Sequence, residues 1–521
     1  MSVRGELRAT GDVDGARRGP SRAFCRVRLG PDGPVMTGTP SWRGGTPVPR
    51  PDGETDGVFG GWDYDDGVVR VVTDRLAFFP LYYVAGPTEF CVSPSLVTLL
   101  EQGAPRDIDD GALAVFLRTG WFLRDDTAFT AIRAVPPSLR FEWDRGTLTV
   151  ERATRTHHEI DITRADAMDR YIELFRAAVA RRLVPDDEPF VMPLSGGADS
   201  RHILLELVRQ GRPPASVVTG TQRPRCPDVA AARVLTQRLG IPHTVVQGAM
   251  DAGWSEELRK NVETNFCADE HVWYLPVADH LLRSTSVSYD GLAGDILSAN
   301  VDLTEPVVRG MRAGRVDELL DDVLHENHRE DVLRDALTPG FYARIPEGVA
   351  RERLAEELHR HLDASNPWSS FHFDNWDRRE ITLNAHATLA SIHVHVPFLD
   401  RDLVDFLTSL PAELLLGGRF HLDTIRTAYP DVADVPFARE LPRPKALNLV
   451  DRVRRTPAHL VLHARAHVGP NSGRAASSAW LRAVPPVVRH PGRPGSLGTF
   501  NRRAAWLRQI EMLASGTLPL R

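Results

Sequence analysis

Lysine is almost absent from this chain. Of 63 basic residues only Lys260 and Lys445 are lysines, and arginine fills every other basic position. Arginine is used wherever a plain positive charge suffices, so the two lysines stand out for jobs that need a compact ammonium group. Cysteine is scarce too. Cys25, Cys91, Cys226 and Cys267 show no CxxC or other metal spacing, which excludes a disulfide framework and a thiolate zinc site and leaves reduced thiols. No window of 18 apolar residues occurs, and the polar N-terminus lacks a signal-peptide core. Both absences exclude a membrane span and point to the cytoplasm. A basic excess is missing as well: the net charge of −6 excludes general nucleic-acid binding. Charge is uneven, however. From Arg452 onward about a dozen arginines face one acid, Glu511, a tail suited to covering an active site, recruiting an acidic peptide, or lying solvated.

What is present is a long, apolar-rich chain. Its 521 residues, 42% of them hydrophobic, suffice for two or three domains. The most informative stretch is Phe190-Val-Met-Pro-Leu-Ser-Gly-Gly-Ala-Asp-Ser-Arg201. Phe190 to Leu194 is an apolar run of the buried-strand kind. After the Ser195–Ser200 turn, Ile203, Leu204, Leu207 and Val208 recur at helical spacing, and Gly211 suits the helix stop. Strand, glycine turn and helix together present backbone N–H groups to an anion, and Gly196 and Gly197 allow the close approach. No Gly-Lys-Ser/Thr follows, so a Walker A loop is excluded.

Upstream, residues 1 to about 50 are rich in Gly, Pro and Arg, with one strand candidate near Phe24–Leu29. A hairpin turning at Asp66-Gly67 follows, and further strands and short helices run to Val150, an α+β pattern. Downstream of Ser200, a strand at Ala215–Gly220, a helix at Asp228–Gly240 and a strand at His243–Val246 continue a β-α-β rhythm. That rhythm predicts a doubly wound parallel sheet with its ligand at the carboxyl ends of the strands. Val287-Ser-Tyr-Asp-Gly-Leu-Ala-Gly-Asp295 is a second strand-to-glycine turn, whose Asp295 either meets Mg²⁺ opposite Asp199 or caps the next helix. Residues 300–390 read mostly as helices. Helix signals recur around Ala479–Leu481 and Arg503–Leu513.

Ser195-Gly-Gly-Ala-Asp-Ser200 resembles the signature of ATP pyrophosphatases. With the Gly291–Asp295 turn, Val396-Pro-Phe-Leu-Asp400 and Leu441-Pro-Arg-Pro-Lys445 in order, nearly the whole chain looks like an asparagine-synthetase-type amide ligase. The resemblance implies that Leu194, Ser195, Gly196, Gly197, Asp199, Ser200 and Gly291 bind ATP. It implies that Asp199 and Asp295 hold Mg²⁺, and that Lys445 stabilises developing negative charge; blandly, Lys445 is a solvated loop lysine. Lys260, outside every motif, is expected to tolerate arginine. The family carries a glutamate and an arginine where this chain has His393 and His395. His393 either takes the acid–base place or merely alternates with His395 on one strand face. Ile296 replaces a usual glutamate.

The segments around Asp74-Arg75, Pro80–Tyr83, Ser93 and Thr127–Pro137 are similar to the family's N-terminal glutaminase domain, an N-terminal-nucleophile fold. That domain uses an N-terminal cysteine; position 2 here is Ser2, and Cys25 lies far inside. The expected organisation is a glutaminase-like sandwich at 1–155 without glutaminase activity, a PP-loop synthetase domain at 160–450 with helical additions, and a basic helical extension at 451–521. Relatives without that cysteine include β-lactam synthetases and the macrolactam synthetases of lasso peptides. The implied activity is adenylation of a carboxylate, with release of pyrophosphate, followed by attack of an amine. The expected substrates are a small molecule or a precursor peptide bearing carboxylate and amine, with a natural-product macrolactam favoured. No nucleic-acid or membrane partner is expected, and the oligomeric state is left open. Asparagine synthesis from ammonia or glutamine, or a non-catalytic nucleotide-binding relative, are the alternatives.

Overall fold

The computed structural model describes residues 19–153, 158–221, 226–248, 254–269, 271–299, 303–325, 330, 333–334, 337–441 and 497–518. Ten strands come first: β1 (Cys25–Gly30), β2 (Gly33–Gly38), β3 (Ser41–Pro49), β4 (Thr55–Asp65), β5 (Val68–Thr73), β6 (Tyr82–Ala85), β7 (Glu89–Ser93), β8 (Arg133–Ala134), β9 (Ser138–Asp144) and β10 (Thr147–Arg152). They form two five-stranded antiparallel sheets, ordered β2-β1-β7-β6-β8 and β10-β9-β5-β4-β3. The β4–β5 hairpin turns at Asp66 and Gly67, both with positive φ (39° and 85°), as a two-residue turn of this hand requires. β2 and β3 were not expected from so much glycine and proline. Both are edge strands, and Pro47 and Pro49 lie on the outermost one, where a missing N–H need break no ladder bond. Two helices, α1 (Leu96–Glu101) and α2 (Asp110–Thr119), are capped by Ser95 and Asp109.

The helix α3 (Arg164–Ala180) leads into the parallel part. There β11 (Val191–Pro193), α4 (Asp199–Arg209), β12 (Ser216–Thr221), α5 (Pro227–Leu239) and β13 (His243–Gln247) alternate, and β11, β12 and β13 pair in parallel. After α6 (Trp254–Glu263) and α7 (Leu275–Ser284) comes β14 (Val287–Tyr289), followed by the short helix α8 (Gly294–Ser298). β14 pairs in parallel with β15 (His393–His395). Thr285 Oγ1 accepts from Val191 N at 3.4 Å, which sets β14 beside β11. The chain is thus a mixed α/β structure with several sheets and many helices. Between α8 and β15 the described residues are mainly helical, and Phe373–Ile381 and Asn384–Thr388 wind as wide π-turns.

Two observations bear on the sequence reading. Lys260 is buried, 1% exposed, and its Nζ donates to the carbonyls of Ala268 (2.8 Å) and Asp269 (2.9 Å). Such a site does not suit the planar fork of arginine, so tolerance of arginine is no longer the expectation. The C-terminal helix, Leu497–Ala514, is no solvated flank. Its Trp506 is buried and stacks on Phe116 of α2 at 4.1 Å, and its Arg503 donates to Asp269 at 2.8 Å and to Leu117 O. The helix signal at Ala479–Leu481 lies outside the described residues. No helix among the described residues is long and apolar enough to cross a membrane.

Candidate nucleotide and metal site

β11 ends at Pro193 and delivers the Ser195–Ser200 loop to the amino end of α4. Leu194 itself belongs to the core, 1% exposed, with its carbonyl held by Thr219 Oγ1 at 2.6 Å; it anchors the loop through the backbone. The loop folds on itself. Ser195 N donates to Ser200 Oγ (3.0 Å), Gly197 N to Ser195 Oγ (3.1 Å), and the two hydroxyls lie 3.1 Å apart. Gly196 N donates to Asp228 Oδ1 at 3.0 Å. A Cβ on Gly196 would meet Ala438 Cβ at 2.5 Å and Asp228 Cα at 2.7 Å, so the glycine is required by packing. No side chain among the described residues caps α4. Its first-turn amides are left for an anion.

The second turn closes over the first. A Cβ on Gly291 would stand 2.8 Å from Asp199 Cβ, and one on Gly294 would stand 2.5 Å from Asp199 Oδ1. The two glycines bring β14's carboxyl end against the loop. Asp295 is exposed in the first turn of α8, with Oδ1 accepting from Ile296 N at 2.8 Å. Ile296 is buried, 4% exposed, so this position serves the core.

Two further carboxyls feel this charge. Burial pushes Asp290 up to about 6, with Asp199 adding to the shift; its Oδ1 accepts from Leu292 N at 2.8 Å. Burial, followed by Asp295 and then Asp199, pushes Asp377 well above the usual carboxylate range, and its Oδ2 has no hydrogen-bond partner among the described residues. The sequence reading missed Asp377, Asp228 and His421, whose Nδ1 is 3.3 Å from Asp199 Oδ1. Asp228 looked like a helix-start acid; the other two sit in helical stretches with no local signature.

Hard carboxylate oxygens beside a loop of amides and hydroxyls suit Mg²⁺ carried by a nucleotide. Among the described residues no group of three or more ligands forms a ready cage. That is the expectation for Mg²⁺, which takes one or two carboxylates and fills its shell with phosphate oxygens and water. Asp199 and Asp295 are the residues that would hold it.

The histidines divide differently from the sequence reading. His393 is exposed and pairs with Val287 at the amino end of β14, roughly 10 Å along the strand from the Asp290 turn at ~3.3 Å per residue. His395 lies level with Tyr289, its carbonyl accepting from Asp290 N at 2.9 Å. Burial lowers its pKa to about 3. The structure therefore brings Ser195, Gly196, Gly197, Asp199, Ser200, Gly291 and Asp295 together and leaves His393 apart. Lys445 lies outside the described residues.

A phosphate-type loop at the carboxyl end of a parallel sheet, faced by carboxylates, defines an α/β nucleotide-site protein. The asparagine synthase family model matches residues 170–433, just over half of the chain, and the chain belongs to that family. It is an ATP-dependent amide ligase, an enzyme. No curated protein matches the sequence.

Proposed function

We propose that the enzyme adenylates a substrate carboxylate and joins it to an amine carried by the substrate itself. In the first step a carboxylate oxygen attacks the α-phosphorus of ATP, the bond to the β-phosphate breaks, and pyrophosphate leaves. In the second an amine attacks the acyl carbon, the carbon–nitrogen bond forms, AMP departs and the amine gives up a proton. The Ser195 and Ser200 hydroxyls and the uncapped α4 amides hold the phosphates. Bound Mg²⁺ supplies charge neutralisation at the phosphates, with Asp199 and Asp295 as its anchors. Lys445 stabilises the oxyanion. His393, at the far end of its strand, is given no step.

The carrying observation is the closure of the Gly291–Gly294 turn onto Asp199 beside the Ser195–Ser200 loop. A natural-product or peptide macrolactam is the favoured product. Cys25 supports an amine source other than glutamine hydrolysis: it is buried at the head of β1, and burial pushes its thiol up to about 12, far from a nucleophilic thiolate.

The test is exchange of labelled pyrophosphate into ATP, screened with peptides carrying aspartate or glutamate side chains and a free amine. Exchange that requires the peptide and disappears in Asp199→Ala is the expected result. ADP and phosphate as products would overturn the adenylation step. Asparagine formed from aspartate with ammonia or glutamine would return the chain to asparagine synthesis. Absence of exchange with every acid, despite nucleotide binding, would favour a non-catalytic relative.

A further inference from the structure

Behind Asp199 lies a buried pair of imidazoles that none of the motifs contains. His421, on the helix Phe420–Ala428, and His202, on α4, are both fully buried. His421 Nδ1 lies 3.3 Å from Asp199 Oδ1, near enough for a strong electrostatic contact though off line for a hydrogen bond. His421 Nε2 lies 3.0 Å from His202 Nδ1. His202 Nε2 has no hydrogen-bond partner among the described residues. Its ring stacks on Phe175 at 3.7 Å, with Tyr171 and Tyr429 edge-on at 5.6 and 5.7 Å.

The proton positions follow from this surround. Burial, reinforced by His421, holds His202 neutral, so one of its nitrogens donates and the other accepts. A bare lone pair on His421 Nδ1 would set two acceptors face to face, 3.3 Å apart, so the ring presents Nδ1–H towards Asp199, and Nε2 pairs with His202 Nδ1 behind it. Asp199 Oδ1 is buried, covered by His421 and by the close approach of Gly294, while the side chain as a whole keeps 27% exposure. The carboxylate is covered on one oxygen and open on the loop side.

We infer that His421, backed by His202, is a positioning residue that holds Asp199 for the Mg²⁺–nucleotide. This rests on the reading of the site given above. Groups that orient a metal-binding carboxylate typically change metal affinity by about 10–100-fold when removed.

The test is ATP binding by calorimetry with full-length protein, in MgCl₂ and in EDTA, each variant first checked for a cooperative melt. In His421→Phe the gain in affinity that Mg²⁺ confers should fall about 10–100-fold, while binding in EDTA stays at the wild-type value. An asparagine amide stands where Nδ1 does and a glutamine amide where Nε2 does. His421→Asn should therefore keep most of the Mg²⁺ gain and His421→Gln should lose it. His202→Phe, which keeps the stack on Phe175, should lose part of it. Wild-type Mg²⁺ dependence in a folded His421→Phe overturns the positioning role, and so does equal behaviour of the Asn and Gln variants should the Phe variant not fold. A wild-type protein whose ATP binding ignores Mg²⁺ overturns instead the reading of the site itself.

Discussion

Asp400 Oδ2 and Arg182 Nη1 meet at 2.7 Å, and neither side chain has any solvent exposure. Arg181 joins the same carboxylate at 2.6 and 2.9 Å, and Arg182 reaches Asp56 at 3.1 Å. Asp400, the last letter of Val396-Pro-Phe-Leu-Asp400, thus fastens α3 and caps the helix Arg401–Ser409, and through Arg182 it reaches β4. Burial pulls its pKa up, but the two guanidiniums win and hold it down to about 2. Removing one partner of a buried pair leaves uncompensated charge, which typically costs 3–5 kcal/mol. Asp400→Asn should lose about that much in urea unfolding. A depressed carboxylate stabilises above its unfolded value, so this contribution is complete above about 3.8 and disappears as pH falls towards 2. A variant as stable as wild type at pH 7 would show that the cluster is neutral on balance.

Gly294→Ala tests the closure of the two turns. Its Cβ would fall 2.5 Å from Asp199 Oδ1 and 2.9 Å from Phe398 Cε2, so Asp199 must shift. Mg²⁺-dependent ATP binding should weaken by about 10-fold or more, with a modest loss of stability. Gly348→Ala is the control: it meets nothing within 4 Å, sits in the helix Glu347–His359, and should be neutral or slightly stabilising. Equal nucleotide binding by the two variants would mean that Asp199 need not stay where the glycines put it.

Much of this site was legible because it is local. Ser195–Ser200 and Gly291–Asp295 each announce themselves by small residues at a strand end, and the β-α-β rhythm around them follows from apolar periodicity. What escaped was set by distant packing. His421 is 222 positions from Asp199 in the chain, and nothing around it marks the contact. Asp377 lies in a π-turn stretch that reads simply as helix. β2 and β3 were hidden because proline is disfavoured in strands generally, yet tolerated at edges. For His393 the sequence left an acid–base role and plain alternation with His395 both open, because which end of β15 meets the site depends on its pairing with β14, a non-local fact.

Buried neutral histidines should make the protein acid-sensitive in a way one substitution can isolate. Burial lowers His386 to about 3 and His372 to about 4, from an ordinary 6.5. The unfolded chain takes up these protons below 6.5 and the folded one does not. The stability they confer is therefore complete above 6.5 and is lost as pH falls towards 4. Asp74 and Asp290, raised to about 6 by burial, act oppositely in part of this window, so the total profile mixes both. The difference between wild type and His386→Phe removes the mixture. His386 Nε2 has no hydrogen-bond partner among the described residues, and its ring faces Phe79 at 6.5 Å. Whatever the offset at pH 7, the unfolding free energy of the variant should gain on wild type by up to ~1.4 kcal/mol per pH unit between 6.5 and 4. A pH-independent difference would place His386 in contact with water.

The two lysines should fail in opposite ways. Lys260 bridges α6 to the carbonyls of Ala268 and Asp269, the end of a loop in which Asn265 and Phe266 both take positive φ (56° and 57°). Its ammonium holds that loop where Asp269 receives Arg503 and where Asp269 N donates to Glu380. Lys260→Arg places a planar fork where a point charge fits and should cost about 1–3 kcal/mol through buried acceptors left badly matched. Pyrophosphate exchange by the protein that remains folded should be near normal. Lys445→Met should do the reverse, melting like wild type and still supporting exchange while amide formation falls about 10²–10³-fold. Thermal melts paired with exchange and product assays on both variants decide the matter. A Lys260→Arg protein with an unchanged melt would return Lys260 to the role of a replaceable cation. A Lys445→Met protein with undiminished product would remove the charge-stabilising role proposed for that lysine.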